Sequence, residues 1–292
     1  MGRKTKVALT VGAASVAAWA ASKVVVKQEP RAEKKALQFS EIAVLANVDI
    51  AEDPSVHLLT AYTNAADLGV HGFAVNIRLT KDEEIILAPS HDLQLTGVIA
   101  DYTLAELQNE KLPVIDDSES LADQEASSIV SLRELLETFP QLLHVISMSD
   151  SPDTYEGSLI PSKLWRLLKE MDAADRVVVT SSYDEQIDRF NLYAQNSVAL
   201  GAGNEEIKKA YVAYSSKFGH LYKPNADLFC LPEKIGVFPL ASDGFVQFLQ
   251  QLNITVLYEL TDTVDIQKLS KLEIAGFITT EPKQVLSYFN EN

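Results

Sequence analysis

"GFAVNIRLTKDEEIILAPSHDLQLTGVIADYTLAEL", running from Gly72 to Leu107, is the stretch whose reading decides the fold. Its first eight residues are an apolar, β-branched run with strand character. "EIILA" (84–88) is a second strand close behind, across the charged turn "TKDE". "TLAELQNE" then reads as a short helix, with Thr103 as N-cap and Glu106 three residues on, the pattern of a capping box. One strand, a returning arm and a helix follow each other within forty residues.

The same alternation continues on both sides. "EIAVLAN" (41–47) is a strand. "SVHLLTAYTNAADLG" (55–69) is a helix with Val56, Leu59, Tyr62 and Ala66 on one face and Gly69 at its C-terminal cap. "SLRELLETF" repeats the capping logic with Ser131 and Glu134. "LLHVISM", "RVVVTSS", "SVALGAG", "ADLFCLP", "ITVLYEL" and "IAGFITT" are strands. Between them lie the helices "IPSKLWRLLKEMD", "YDEQIDRFNLYAQ", "NEEIKKAYVAYSSKF" (capped by Asn204), "SDGFVQFLQQLN" and "TVDIQKLSKLE". "PKQVLSYFN" closes the chain as a helix begun by Pro282. With "EIILA" counted as a hairpin arm, there are eight strand positions, which predicts a (β/α)8 TIM barrel over residues 41–292. A doubly wound open sheet is the alternative. No glycine-rich loop follows the first strand, which argues against a dinucleotide site.

Barrel function sits at the C-terminal ends of the strands. The positions expected there are Asn47, Ala74, Asn76, the Ala88–Ser90 turn, Ser147, Ser149, Ser182, Tyr258 and Thr280.

The composition fits this picture. The 292 residues are 47% apolar and 23% charged, enough for a large core. The formal net charge of -16 and the lack of any basic stripe argue against nucleic acid as a partner. The single cysteine, Cys230, excludes an internal disulfide and is expected as a small buried core residue. Residues 1–27 carry Arg3, Lys4 and Lys6 ahead of an uncharged run. They read as a signal anchor, favoured by spanning length, or as a cleaved signal peptide, favoured by "AWA". Either way the positive cluster sends the barrel outward, giving an extracytoplasmic protein that is membrane-anchored or secreted. Residues 28–40 read as a polar tether.

In order and spacing, the body of the chain from Ile42 to Pro282 resembles the glycerophosphodiester phosphodiesterase family, barrels of the PLC-like phosphodiesterase type. The family hydrolyses glycerophosphodiesters to an alcohol and glycerol 3-phosphate, usually with a divalent metal. The resemblance rests on Leu79–Asp82, Leu93, Asp101, Thr103, Glu106 and Leu107. "VVVTSSYD" and "IAGFITTEP" are similar to two further strand ends of the family. It implies that the active-site positions have been lost. The family's first catalytic His is Asn47 here, and its metal carboxylates fall on Ala74, Asn76 and Ser147. Its Lys falls on Ser149, its seventh-strand Trp on Tyr258 and its final Thr-Asp on Thr279-Thr280. A gapless match puts Pro89 and Ser90 at the family's His-Asp pair; a two-residue insertion would instead bring in His91 and Asp92.

Calcium or magnesium needs carboxylate oxygens, which Ala, Asn and Ser do not supply. Acid–base work needs a group that titrates, which Asn does not. The expected protein is therefore a pseudoenzyme barrel without a cofactor. It would bind or scaffold an envelope protein or a polyol-phosphate ligand. The alternative is a divergent phosphodiesterase using His91, Asp92 and a Ca or Mg ion. No other constellation competes. His57, His71, His144 and His220 lack ligand spacing, and His144 is expected as a packed, hydrogen-bonded core histidine. Ser181-Ser182 has no adjacent His-Asp pair. "GAGNEE" reads as a strand-to-helix turn, and "DDSESLADQE" (Asp116–Glu125) as a solvated insertion.

Overall fold

The computed structural model describes Trp19 and residues 26–48, 57–88, 98–109, 129–260 and 266–291. Eight parallel strands run in the order β6 (Ala199–Leu200), β5 (Val177–Thr180), β4 (Leu143–Met148), β2 (Gly72–Leu79), β1 (Ala43–Ala46), β11 (Gly276–Thr279), β10 (Thr255–Leu260) and β7 (Leu228–Leu231). A parallel bridge between Gly201 and Leu228 brings the two ends of the sheet together. The open-sheet alternative is thereby set aside. β3 (Ile85–Ala88) returns antiparallel on β2, as the hairpin arm read from the sequence. A two-stranded ribbon, β8 (Lys234–Ile235) and β9 (Phe238–Pro239), follows β7.

The strands are buried on both faces, as parallel strands under a helical layer must be. Alternate residues fill the barrel interior, among them Ala43, Leu45, Leu143, Val145, Val178 and Leu257. Their neighbours face the helices. Phe73 is fully buried there, edge-on to Tyr62 at 4.8 Å and Phe139 at 5.1 Å.

Local chemistry explains the helix ends. In α1 (Leu58–Asp67) the buried stripe is Leu58, Tyr62 and Ala65. This is one residue off the expected face, with Leu59 and Ala66 only partly covered and Val56 outside the described residues. Gly69 ends the helix at φ +89°, which glycine adopts without strain. The capping box of α2 (Leu104–Asn109) is complete: Glu106 N–H donates to Thr103 Oγ1 at 3.2 Å, and Thr103 N–H to Glu106 Oε2 at 2.8 Å. Ser131 Oγ accepts from Glu134 N–H at the start of α3 (Leu132–Thr138).

Two helix starts differ from expectation. α4 (Tyr155–Glu170) begins five residues before Ile160, so Pro161 lies inside it. Proline lacks the N–H that would have bonded the Gly157 carbonyl. The buried Gln186 side chain, from α5 (Asp184–Ala194), supplies that donor at 2.9 Å. At α6 (Asn204–Ser215) Asn204 is the first helical residue rather than the cap. Asp184 caps it from the neighbouring helix, accepting from Glu205 and Glu206 N–H, both at 2.9 Å.

The segment read as a polar tether lies along the lower end of the barrel. Ala36, Leu37 and Phe39 pack against the interior cluster. Arg31 N–H donates to the Leu252 carbonyl, and Arg31 Nε to Asp227 Oδ1 at 2.7 Å. Among the described residues no helix is long and apolar enough to cross a membrane. Of the stretch 7–26 read as an anchor, only Trp19 and Val26 are among them.

Candidate active site

At the upper, C-terminal end of the strands the interior opens into a cleft of about 660 Å³. Strand alternation decides who faces it. On β2, Ala74 and Asn76 point inward, joined by Asn47 after β1, Ser147 on β4 and Ser182 after β5. These five were expected at the mouth and are brought together there. Thr280, past the end of β11, completes the ring with them.

Three expected positions are elsewhere, the first being Ala88, which is buried with Ile86, Ile99 and Leu107 and does not line the cleft. Tyr258 is fully buried between β10 and the helices, and its hydroxyl donates to the Leu240 carbonyl at 2.9 Å. The inward residue is its neighbour Glu259. Ser149 lies beyond β4, with its N–H on the Ile77 carbonyl, and is not part of the cleft wall. Pro89, Ser90, His91 and Asp92 fall outside the described residues, as does the acidic run Asp116–Glu125.

Cys230 is only partly buried and lines the cleft, instead of standing in the closed core. Desolvation and the nearby Glu259 carboxylate push its thiol well above the usual range, which disfavours the thiolate a nucleophile would need. Ser181 Oγ donates to the Met148 carbonyl at 2.7 Å and accepts from Tyr183 N–H, a structural role. His144 is fully buried outside the barrel wall. Its Nε2 meets the Phe139 carbonyl at 3.0 Å, as a packed core histidine should.

The chemistry of the mouth follows from its donors. Glu259 is the one carboxylate among the described lining residues. Its side chain opens onto the cleft, yet the crowding barrel wall raises its pKa above the ordinary carboxylate value. The same lining contains no Lys, Arg or His. Arg78, two residues beyond Asn76, is turned to Asp150 at 4.0 Å.

A calcium ion takes six to eight oxygen ligands with several carboxylates, and magnesium near-ideal octahedral geometry. Ala74, Asn76 and Ser147 together offer an amide and a hydroxyl. No group of three or more His, Cys, Asp or Glu able to hold a metal occurs among the described residues. These residues do not fit a resident Ca or Mg ion, and no reaction step is derived through one. Glu259 was missed because "VLYEL" is apolar toward both sides of the wall, so the alternation alone did not say which residue faces in.

No protein-family model matches the chain. A glycerophosphodiester phosphodiesterase from Caldanaerobacter subterraneus subsp. tengcongensis is 22% identical over 251 residues, spanning 84% of this chain and 96% of that protein. Among solved structures, a glycerophosphoryl diester phosphodiesterase domain from Mycobacterium tuberculosis aligns with a TM-score of 0.66 at 14% identity. It covers 86% of this chain and all of that one. A putative glycerophosphoryl diester phosphodiesterase from Silicibacter pomeroyi gives the same score and identity over 89% of this chain and 98% of its own. The similarity runs over most of the chain and shows that it has the barrel fold of the glycerophosphodiester phosphodiesterase type.

Proposed function

We propose that this barrel is a catalytically retired relative of the phosphodiesterases, an extracytoplasmic binding or scaffolding protein. One observation carries the reading. The inward side chains at Asn47, Ala74, Asn76 and Ser147 give the mouth neither a titrating acid–base pair nor a cluster of carboxylates. Hydrolysis of a phosphodiester in a barrel of this type asks for charge neutralisation of the phosphate, a base and an acid. Losing one such group costs a factor of about 10² to 10⁴. Among the described lining residues only the Glu259 carboxyl could serve, and it can fill no more than one of the three roles. The alternative is a divergent enzyme using His91 and Asp92, whose positions in the sequence fall between β3 and α2.

The test is a titration of Ca²⁺ and Mg²⁺ into the full-length chain, with glycerophosphodiester hydrolysis followed in the same buffer. The expected result is neither binding nor turnover, with the fold verified by circular dichroism. Metal-dependent turnover that disappears in His91→Ala overturns the proposal and establishes the divergent enzyme.

A further inference from the structure

We infer that the barrel mouth is a binding site for a small, uncharged polyhydroxyl compound, and that it discriminates against phosphorylated ones. The inference rests on the reading of a retired mouth and names its ligand class.

Six side chains converge on the cleft from five different strands or strand ends plus one carboxylate wall: Asn47, Asn76, Ser147, Ser182, Thr280 and Glu259. None of the six side chains is engaged by a protein partner among the described residues. By contrast, three neighbouring polar side chains are bonded within the protein. Thr279 Oγ1 accepts from Glu281 N–H, Ser181 Oγ donates to Met148, and the Tyr258 hydroxyl donates to Leu240.

The kind of capacity at the mouth is also specific. A carboxamide sets a donor and an acceptor side by side, and a serine or threonine hydroxyl offers both on one atom. Such groups match neighbouring hydroxyls on a ligand, each of which also gives and takes one hydrogen bond. A phosphate asks for cations or for a row of pure donors. The described lining supplies no Lys, Arg or His, and its one carboxyl group is that of Glu259. An anion brought here meets repulsion in a partly desolvated space without compensation. The raised pKa of Glu259 belongs to the same electrostatic setting, since the mouth disfavours even its own carboxylate. The cleft volume, about 660 Å³, suits a small ligand.

The probes are myo-inositol and glycerol 3-phosphate, each titrated into the full-length chain by saturation-transfer NMR and calorimetry. We expect myo-inositol to bind at least about ten-fold more tightly than glycerol 3-phosphate, and Asn76→Leu to weaken myo-inositol about ten-fold or more, because a site built on hydrogen bonds is left unpaired. Ser147→Ala, a deletion of one hydroxyl with no added bulk, should weaken it in the same direction and guards against misfolding of the first variant. Glycerol 3-phosphate binding as tightly as myo-inositol overturns the inference, as does myo-inositol binding that both variants leave unchanged, or no binding of either probe. These failures are distinct from failure of the underlying reading, which is decided by metal-dependent hydrolysis alone.

Discussion

Asp227 and Glu259 are carboxylates on neighbouring strands of one barrel, and the molecule uses them in opposite ways. Asp227 precedes β7 at the lower end and is 1% exposed. Its Oδ1 accepts Arg31 Nε at 2.7 Å, and its Oδ2 accepts Leu200 N–H at 2.9 Å. Its own N–H donates to the Leu200 carbonyl at 2.7 Å, and its carbonyl accepts from Thr255 N–H at 2.9 Å. It therefore stitches β6 to β7, where the sheet closes, and ties the 26–40 segment to the seam. Glu259 at the upper end of β10 has no such partner among the described residues. At the lower end charge is spent on holding the barrel shut. At the upper end polarity is left facing the cleft, which is the distribution expected of a site rather than a joint.

The largest consequence lies at the seam. Asp227→Ala removes one half of a buried pair and leaves the Arg31 guanidinium, with a side chain 19% exposed, without its carboxylate. Breaking such a pair from one side costs about 3–5 kcal/mol. We expect a loss of that order in the free energy of urea unfolding. A loss below about 1 kcal/mol, the range of an exposed surface pair, would show that the seam does not depend on this carboxylate and would erase the contrast between the two ends.

His144 gives the next effect, through pH. Burial lowers its pKa to about 4, opposed by the hydrogen bond to the Phe139 carbonyl and assisted by the charge of Arg176. An unfolded histidine titrates near 6.5. Between those values the unfolded chain holds more protons than the folded one, so stability falls as pH drops. The contribution is fully present above about pH 6.5 and is lost on the way down to about 4. From pH 7 to pH 5 the native protein should lose about 2 kcal/mol more than His144→Gln, which has no proton to take up. Parallel pH profiles for the two proteins would mean that the ring is protonated, or reached by water, in the folded state.

How much of this was legible in the sequence depends on whether the information was local. The strand count, Gly69, the Thr103–Glu106 capping box and the inward pair Ala74 and Asn76 each follow from a few adjacent residues, and the structure has them as read. Three features needed contacts between residues distant in sequence. Arg31 and Asp227 are 196 positions apart, and nothing near either one announces the seam. Asp184 caps a helix that starts twenty residues later. Pro161 is tolerated inside α4 only because Gln186 bonds the carbonyl it leaves vacant. The choice between Tyr258 and Glu259 failed for a different reason. A parallel barrel strand is covered on both faces, so hydrophobicity does not report which residue points inward. Tyrosine then fits the outer layer because the Leu240 carbonyl takes its hydroxyl.

The smallest predicted effect sharpens the comparison most directly. Desolvation by the crowding barrel wall raises the Glu259 pKa although its side chain opens onto the cleft, so the folded state holds this proton more tightly than the unfolded chain does. Ionisation therefore works against folding. The penalty is absent below the ordinary carboxylate pKa and complete above the raised one. Glu259→Gln keeps the size and hydrogen-bonding capacity of the side chain and removes its charge. The variant should match the native protein in melting temperature near pH 4 and melt slightly higher at pH 7 to 8. The opposite sign, a variant that is clearly less stable at neutral pH, would mean that the Glu259 carboxylate has a partner in the folded protein. Glu259 would then belong with Asp227 as a structural charge, and the open polar mouth would lose the one acid among its described lining residues.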